Sequence, residues 1–292
     1  MQDFTIAGIQ FHPEYGLKHE NIVKIGILSE NAKDMGADFL LFPELSVTGF
    51  IINSKVSQMA ETIPGDSTSQ LEMIAKKLRV TLCAGIIENH NGLHHNATVI
   101  IGPEGLIGSY RKVHLPTVEY PWYSSGGTFP IFNVLGWKVG ISTCCDNLFS
   151  EQARILAING AEIMLSPFCW LYENDDSSPI SSDSEPNPEV VKKWIKGHWK
   201  KLLPSKAYEN GLYIVAVNQF GWIGKSEYYA TGGVLIIGPD GETINEDVSK
   251  RYSDEIIVGK IERHKLIKWR MRGNYPLKLR RPEIYEDIVK RK

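Results

Sequence analysis

Three residues able to do covalent chemistry stand at the ends of strongly apolar runs: Glu44, Lys112 and Cys144. Glu44 follows DFLLFP, Lys112 lies in GSYRKVHL after the return run of a hairpin, and Cys144 closes WKVGIST with Cys145 and Asp146 behind it. Taken singly, each has a plain reading: a solvated turn carboxylate, a surface lysine, a cysteine that fills space. Together they describe a reaction. A thiol with an ordinary pKa of ~8.5 is only a few per cent thiolate at neutral pH and needs a base beside it to attack efficiently. Glu44, desolvated between apolar strands, is expected to have a raised pKa and to take that proton. Lys112, with an ordinary pKa of ~10.4, stays cationic and would hold the oxyanion that forms on attack. The backbone N–H of Cys145, at a turn into a helix, would supply a second donor. Spacing alone does not bring the three side chains together, so the fold has to.

Apolar periodicity outlines the elements that must do so. Phe4 to Gln10 (FTIAGIQ), Asp38 to Phe42 (DFLLF), Val80 to Ile87 (VTLCAGII), Trp137 to Thr143 and Ala161 to Ser166 (AEIMLS) read as strands. Between them, Ile25, Leu28, Ala32 and Met35 form one helical stripe closed by Gly36, and Leu71, Ile74, Ala75 and Leu78 form another. Ser69 and Glu72 have the spacing of a capping box for the second helix. ATVIIGPEGLIG from Ala97 and GVLIIGPDGETI from Gly233 each read as an apolar run, a Pro-acid-Gly turn and a return run. These echoed hairpins suggest two related sheets in an α/β chain. Side chains at the ends of its strands are exposed where ligands usually bind.

The stretch Glu173 to Glu189 (ENDDSSPISSDSEPNPE) is acidic, rich in Ser and Pro, and expected to be an exposed loop. A helix follows it, with Val191, Trp194, Ile195, Trp199 and Leu202 on a face that packs on the core and lysines opposite. With 292 residues, 42% of them hydrophobic, the chain has room for one large domain or two, and the strand order with its echoed hairpins favours one. Lys plus Arg number 32 against 34 for Asp plus Glu, a balance that does not suit a nucleic-acid surface. Four cysteines are too few for a disulfide scaffold. The start has no signal-peptide pattern, and no window reaches the ~18 to 20 apolar residues of a membrane span. A cytoplasmic protein with reduced thiols is expected. The triplet Asn96-Ala97-Thr98 carries no weight without secretion.

At these residues the chain resembles the nitrilase superfamily, the carbon–nitrogen hydrolases, along almost its whole length. The family's catalytic Glu lies in a segment like LFPELSVTGF, which gives that role to Glu44. Its Lys lies in a segment like YRKVHL, which gives that role to Lys112. Its nucleophile begins a pattern like C-Y-D-x-x-F-P-E. Here the text is CCDNLFSE, so Cys144 matches the nucleophile, and Asp146, Phe149 and Glu151 keep the register. A further Glu, which in the family supports the Lys and helps orient substrate, matches Glu119 in VEYPWYSSGG, with Gly126 at the family's step beyond it. AETIPG, AYENGLYIVAVNQFG and YPLKLRRPEIY match in the same order. The resemblance implies a four-layer α-β-β-α sandwich in a single domain over residues 1–292, with the acidic loop at about 173–189 as an insertion and a C-terminal extension from about residue 263. It also implies a homo-oligomer, at least a dimer, and no metal or organic cofactor.

Departures from the family pattern bear on the substrate. Cys145 replaces the usual aromatic residue and is expected to be neutral packing, since adjacent side chains should not both face one pocket. Ser150 replaces a Pro, Val234 a common Ser, and Lys206 a common Arg. Asp146 two places after the nucleophile resembles amidases and carbamoyl hydrolases more than nitrilases, which puts a small amide or N-carbamoyl amine ahead of a nitrile. Relatives acting on N-carbamoyl amino acids carry arginines where this chain has Asn147 and Leu148, so a carboxylate-bearing substrate is less favoured. The acidic loop suggests a cationic substrate, although a solvated surface loop is the plainer reading. Trp170, Tyr172 and Trp122 are candidates for pocket walls, or for core.

Other readings compete. Gly221-Trp222-Ile223-Gly224-Lys225-Ser226 has only two residues between the first Gly and the Gly-Lys pair, where a phosphate-binding loop needs four. His90, His94 and His95 cluster with Glu88 around the Asn91-Gly92 turn, but without recognised metal spacing, and are expected to be solvated. A non-catalytic scaffold would be expected to have lost one of Glu44, Lys112 and Cys144. Acyl transfer to an acceptor other than water would use the same thioester.

Overall fold

The computed structural model describes residues 2–171, 188–224, 228–247 and 253–290. The first part of the chain runs β1 (Phe4–Gln10), α1 (Lys18–Asp34), β2 (Phe39–Leu41), α2 (Val56–Met59), α3 (Asp66–Leu78), β3 (Thr81–His90), β4 (Leu93–Gly102) and β5 (Gly105–Arg111). The second runs β6 (Phe132–Val134), β7 (Trp137–Ile141), α4 (Ser150–Ile158), β8 (Ile163–Phe168), α5 (Pro188–Asn210) and β9 (Tyr213–Asn218). It continues with β10 (Phe220–Trp222), β11 (Tyr229–Thr231), β12 (Val234–Ile237), β13 (Thr243–Asp247), β14 (Glu255–Ile261) and α6 (Arg263–Arg270).

Two six-stranded sheets result, ordered β14-β1-β2-β3-β4-β5 and β13-β12-β9-β8-β7-β6, with β10 and β11 as a separate pair. Taken from the opposite edge, the second sheet has the topology of the first. Each has an antiparallel edge strand, three parallel strands, and then an antiparallel hairpin. The echoed Pro-acid-Gly turns belong to the hairpins β4–β5 and β12–β13, which occupy equivalent places in the two sheets.

Strand alternation explains the layers, because successive side chains point to opposite faces. Ile6, Phe39, Leu41 and Cys83 of the first sheet pack against Val139, Leu165, Val215 and Val234 of the second. The residues between them, Ala7, Ile9, Leu40, Leu82 and Ala84, face the other way and bury the apolar stripes of α1 and α3. Met164, Ile214, Ala216 and Leu235 likewise bury Leu156 of α4 and Trp199, Leu203 and Ala207 of α5. The outcome is the expected four-layer α-β-β-α sandwich. Full burial of each such Leu, Ile, Val or Phe is worth about 1.5–3 kcal/mol, which fixes the register of every strand.

Local details differ from the sequence reading. Met35 is the C-cap of α1 and is exposed, because the apolar stripe ends at Ala32. The start of α3 is capped one turn earlier than Ser69 and Glu72 suggest. The Gly65 N–H donates to Thr68 Oγ1 at 2.8 Å, while Glu72 instead accepts the N–H of Leu106 at 3.1 Å, tying α3 to β5. On α5, Trp199 is buried as expected, but Leu203 takes the core place assigned to Leu202. The acidic stretch lies outside the described residues except for its last two, which begin α5. After α6 the chain makes three short 3₁₀ turns, anchored where the Tyr275 hydroxyl donates to the Asn210 carbonyl at 2.7 Å. Among the described residues, no helix is long and apolar enough to cross a membrane.

Candidate active site

The C-terminal ends of β2, β5, β7 and β8 meet at one end of the sandwich, so strands from both sheets contribute to one site. Past β2, the chain turns sharply at Glu44. Leu45 has a φ of +47°, a conformation that disfavours any residue with a Cβ. The turn fits because it lies on Gly85 of β3, where a Cβ would come within 2.0 Å of the Leu45 nitrogen. Ser46 Oγ accepts the Gly85 N–H at 2.9 Å and locks the two backbones together.

Lys112 leaves the end of β5, its N–H donating to the Asn96 carbonyl of β4 at 2.8 Å and its carbonyl accepting the Gly126 N–H at 2.8 Å. Its buried ammonium donates to Glu44 Oε1 at 2.7 Å and to Glu119 Oε1 at 2.6 Å. Asn96 Nδ2 joins the same two carboxylates, at 2.7 Å and 3.2 Å. All four side chains are buried. A buried ion pair is stable only when its remaining polar atoms are satisfied, and the carboxylates here are hydrogen-bonded on several sides. An ammonium has three donors, so two bonds to carboxylates leave a third for another acceptor.

The third component is an elbow after β7. Cys144 has a φ of +46° and opens a 3₁₀ turn over Cys144–Leu148. Non-glycine residues held in this region cost about 1–3 kcal/mol and persist where the surroundings impose them. Asp146 imposes it: its buried carboxylate accepts the Thr143 N–H at 2.9 Å, the Tyr110 hydroxyl at 2.6 Å, the His114 N–H at 2.9 Å and His114 Nδ1 at 2.8 Å. Asn147 braces the turn from the other side, donating to the carbonyls of Ser142 at 2.7 Å and Cys144 at 3.2 Å. Cys169, just past β8, links the elbow to Glu44. Its N–H donates to Glu44 Oε2 at 2.7 Å, and its carbonyl faces Cys144 Sγ at 3.7 Å.

Burial, reinforced by the negative charge of Glu44, raises the Cys144 thiol well above the usual thiol range. That direction favours the neutral thiol over the thiolate. Burial also works against the Lys112 cation, but Glu119 and Glu44 outweigh it and keep that group protonated, its pKa above the ordinary lysine range. Burial pushes Glu119 up to about 7 against the opposing pull of Lys112.

Glu119 and Cys144 open on a cavity of about 530 Å³, within the ~300–1,000 Å³ range of small-molecule sites. Trp170 lines it as expected. Tyr172 lies outside the described residues. Trp122 packs against the apolar cluster that includes Phe50 and Leu115 and is not among the lining residues. Cys145 corrects the expectation of a packing residue turned from the pocket: half-buried, it lines the same cavity as Cys144. Strict alternation belongs to a strand, and the positive φ at Cys144 followed by a 3₁₀ turn ends it. Asn96 and the Cys169 backbone went unrecognised in sequence. An Asn amid the apolar run of β4 was the available signal for the first, and a main-chain role leaves none for the second.

The polar cluster around the β3–β4 turn is tied into the fold. Glu88 is buried and pairs with Arg111 through two hydrogen bonds of 2.7 Å. His95, expected to be solvated, is buried, with Nδ1 bonded to the Ser124 carbonyl at 2.7 Å. Inward placement on β4 decides this, whereas His90 and His94 lie nearer the turn. Among the described residues, a metal-sized group of ligand atoms occurs at Asp3, Glu262 and His264, at the strand ends opposite the site. Gly221 and Trp222 of the glycine-containing segment lie in β10, and Lys225 and Ser226 lie outside the described residues.

Residues 5–271 match the family model described as carbon-nitrogen hydrolase. Among curated proteins, a nitrilase of Pyrococcus abyssi is 28% identical over 267 residues, covering 88% of this chain and 89% of its own. An N-carbamoylputrescine amidase of Solanum lycopersicum is 28% identical over 301 residues, covering 98% of this chain and 94% of its own. Among solved structures, a carbon-nitrogen hydrolase of Helicobacter pylori superposes with a TM-score of 0.85 at 24% identity, covering 99% of each chain.

Proposed function

The chain belongs to the carbon–nitrogen hydrolase family, and from that premise we propose that it hydrolyses a non-peptide C–N bond in a small amide or N-carbamoyl amine through a thioester on Cys144. Glu44 takes the thiol proton as Sγ bonds to the carbonyl carbon. The third donor of Lys112 and the Cys145 N–H, at the start of the 3₁₀ turn, hold the oxyanion. Collapse breaks the C–N bond, and the proton on Glu44 leaves with the nitrogen as ammonia or an amine. Water then attacks the thioester, giving its proton to Glu44. Collapse of that second intermediate releases the acid, and the proton returns to sulfur. Glu119 holds Lys112 in place and orients substrate.

The observation that carries this reading is the buried array of Glu44, Lys112 and Glu119, linked through Cys169 to the strained elbow of Cys144. The amidase name of the Solanum lycopersicum relative supports a C–N bond of the amide kind. A panel of amides, N-carbamoyl amines and nitriles, scored by ammonia release and by intact mass of the protein, tests it. Cys144→Ala should abolish both turnover and the acyl adduct, whereas Cys145→Ala retains its backbone N–H and should still form the adduct. Adduct formation that survives Cys144→Ala would end this reading.

The exposed apolar side chains Leu279, Ile284, Ile288 and Val289 support a homo-oligomer, whose mass light scattering would measure. The four free cysteines fit a reducing compartment such as the cytoplasm.

A further inference from the structure

We propose that the group carried by the scissile carbonyl is apolar and uncharged, an alkyl or aryl chain rather than a carboxylate- or ammonium-bearing one. This rests on the hydrolase reading and specifies its substrate class. The cavity has two chemically different parts. Its reactive end holds Glu119 and Cys144, and its wall is built largely from Phe50, Val118, Leu148, Trp170, Leu171 and Tyr228.

No Lys or Arg is among the described residues that line it. A carboxylate seated against this wall would lose its hydration and meet no permanent cation in return. The imidazole of His198 also borders the cavity, beside the Trp170 ring with centroids 6.1 Å apart. The aromatic faces of Trp170 and Tyr228 could attract an ammonium, but Glu119 is the only carboxylate among the described lining residues, and it already accepts from Lys112 and Asn96. A volume of about 530 Å³ is many times the ~30 Å³ share of one water, so there is room for a chain well beyond acetamide.

The wall is also pre-organised, which lowers the ordering cost of binding. The backbone of Trp170 is held on both sides by Asn218, which accepts its N–H at 2.9 Å and donates to its carbonyl at 3.2 Å. Its ring stacks on Phe168 with centroids 5.4 Å apart.

Three amides of matched length separate the possibilities: hexanamide, the monoamide of adipic acid, and 5-aminopentanamide. Their kcat/KM values are measured by ammonia release with the wild-type enzyme. Their binding is measured by calorimetry with the Cys144→Ala protein, in which no chemistry intervenes. Hexanamide should exceed each charged amide by at least about tenfold in both measurements. Leu148→Arg should shift the ratio of hexanamide to adipic monoamide by about tenfold toward the carboxylate, and an unmoved ratio would overturn the proposal. Turnover that favours a charged amide also overturns it, and leaves the hydrolase reading intact. Absence of turnover with preferential binding of hexanamide would do the reverse. If none of the three amides is bound or turned over, both are lost.

Discussion

The backbone N–H of Cys169 donates to Oε2 of Glu44 at 2.7 Å, although the two residues leave strands of different sheets. One peptide unit thus fixes the carboxylate across the sandwich while its carbonyl meets the thiol of Cys144. A main-chain donor cannot swing away as a side chain can, so the Glu44 carboxylate is held by the packing of the two sheets rather than by a rotamer alone. The proposed proton transfer begins from that fixed geometry.

Glu44→Gln keeps an acceptor for the Cys169 N–H or for Lys112 and Asn96 but not for both, and it cannot take a proton near neutral pH. We expect acyl-adduct formation to fall by at least about 100-fold, the lower end of what a general base contributes. Stopped-time intact mass with the best amide substrate measures it, and a rate close to wild type would remove Glu44 from the base role.

Glu119 has its folded pKa raised from 4.5 to about 7. Over that window the folded state binds more protons than the unfolded chain, so this carboxyl's contribution to stability is full below 4.5 and is lost as pH rises through about 7. Glu119→Gln removes the titration. In urea titrations the stability of wild type relative to this variant should therefore decrease from pH 5 to pH 7.5. A difference that stays constant or grows would contradict the assignment.

Gly85→Ala would place a methyl 2.0 Å from the Leu45 nitrogen, against backbone that has nowhere to retreat. Overpacking of this kind costs about 1–3 kcal/mol or more, and here it also displaces Glu44, so both stability and turnover should fall. Gly127→Ala, which meets nothing within 4 Å, serves as control, with an expected change within about 0.5 kcal/mol. Equal denaturation midpoints for the two variants would show that the close approach is not the constraint it looks to be.

Asp146→Ala would strip acceptors from Thr143, Tyr110 and His114 at once. Each buried donor left unsatisfied costs about 1–3 kcal/mol. A loss of about 3 kcal/mol or more in chemical denaturation is expected, with turnover reduced even where the protein remains folded, because the elbow at Cys144 loses its brace. Full activity in the folded variant would show that Asn147 holds the elbow unaided.

Much of this protein is legible along the chain because its physics is local. Runs such as FTIAGIQ and DFLLF can be buried on both faces only as central strands, and the stripes of α1 and α3 can be covered only by a sheet. The echo of the two Pro-acid-Gly hairpins anticipated two sheets of equivalent topology. The residue types of Glu44, Lys112 and Cys144, each after an apolar run, pointed to cysteine chemistry before any geometry was known.

Tertiary structure decided which groups meet. The strand order of the first sheet, with the loop after β5, brings Glu44, Lys112, Glu119 and Asn96 within hydrogen-bond reach, and only the packing of the second sheet against it sets Cys144 beside them. The same packing draws in a main-chain donor at Cys169, which has no side-chain signature to read. It also turned Cys145 toward the cavity, because a positive φ at Cys144 breaks the alternation on which a sequence reading depends. Amino-acid order determined the elements and the chemical groups through short-range periodicity. Their convergence is a property of tertiary packing, in which contacts such as Glu44 to Lys112 and Glu44 to Cys169 join residues that the sequence holds far apart.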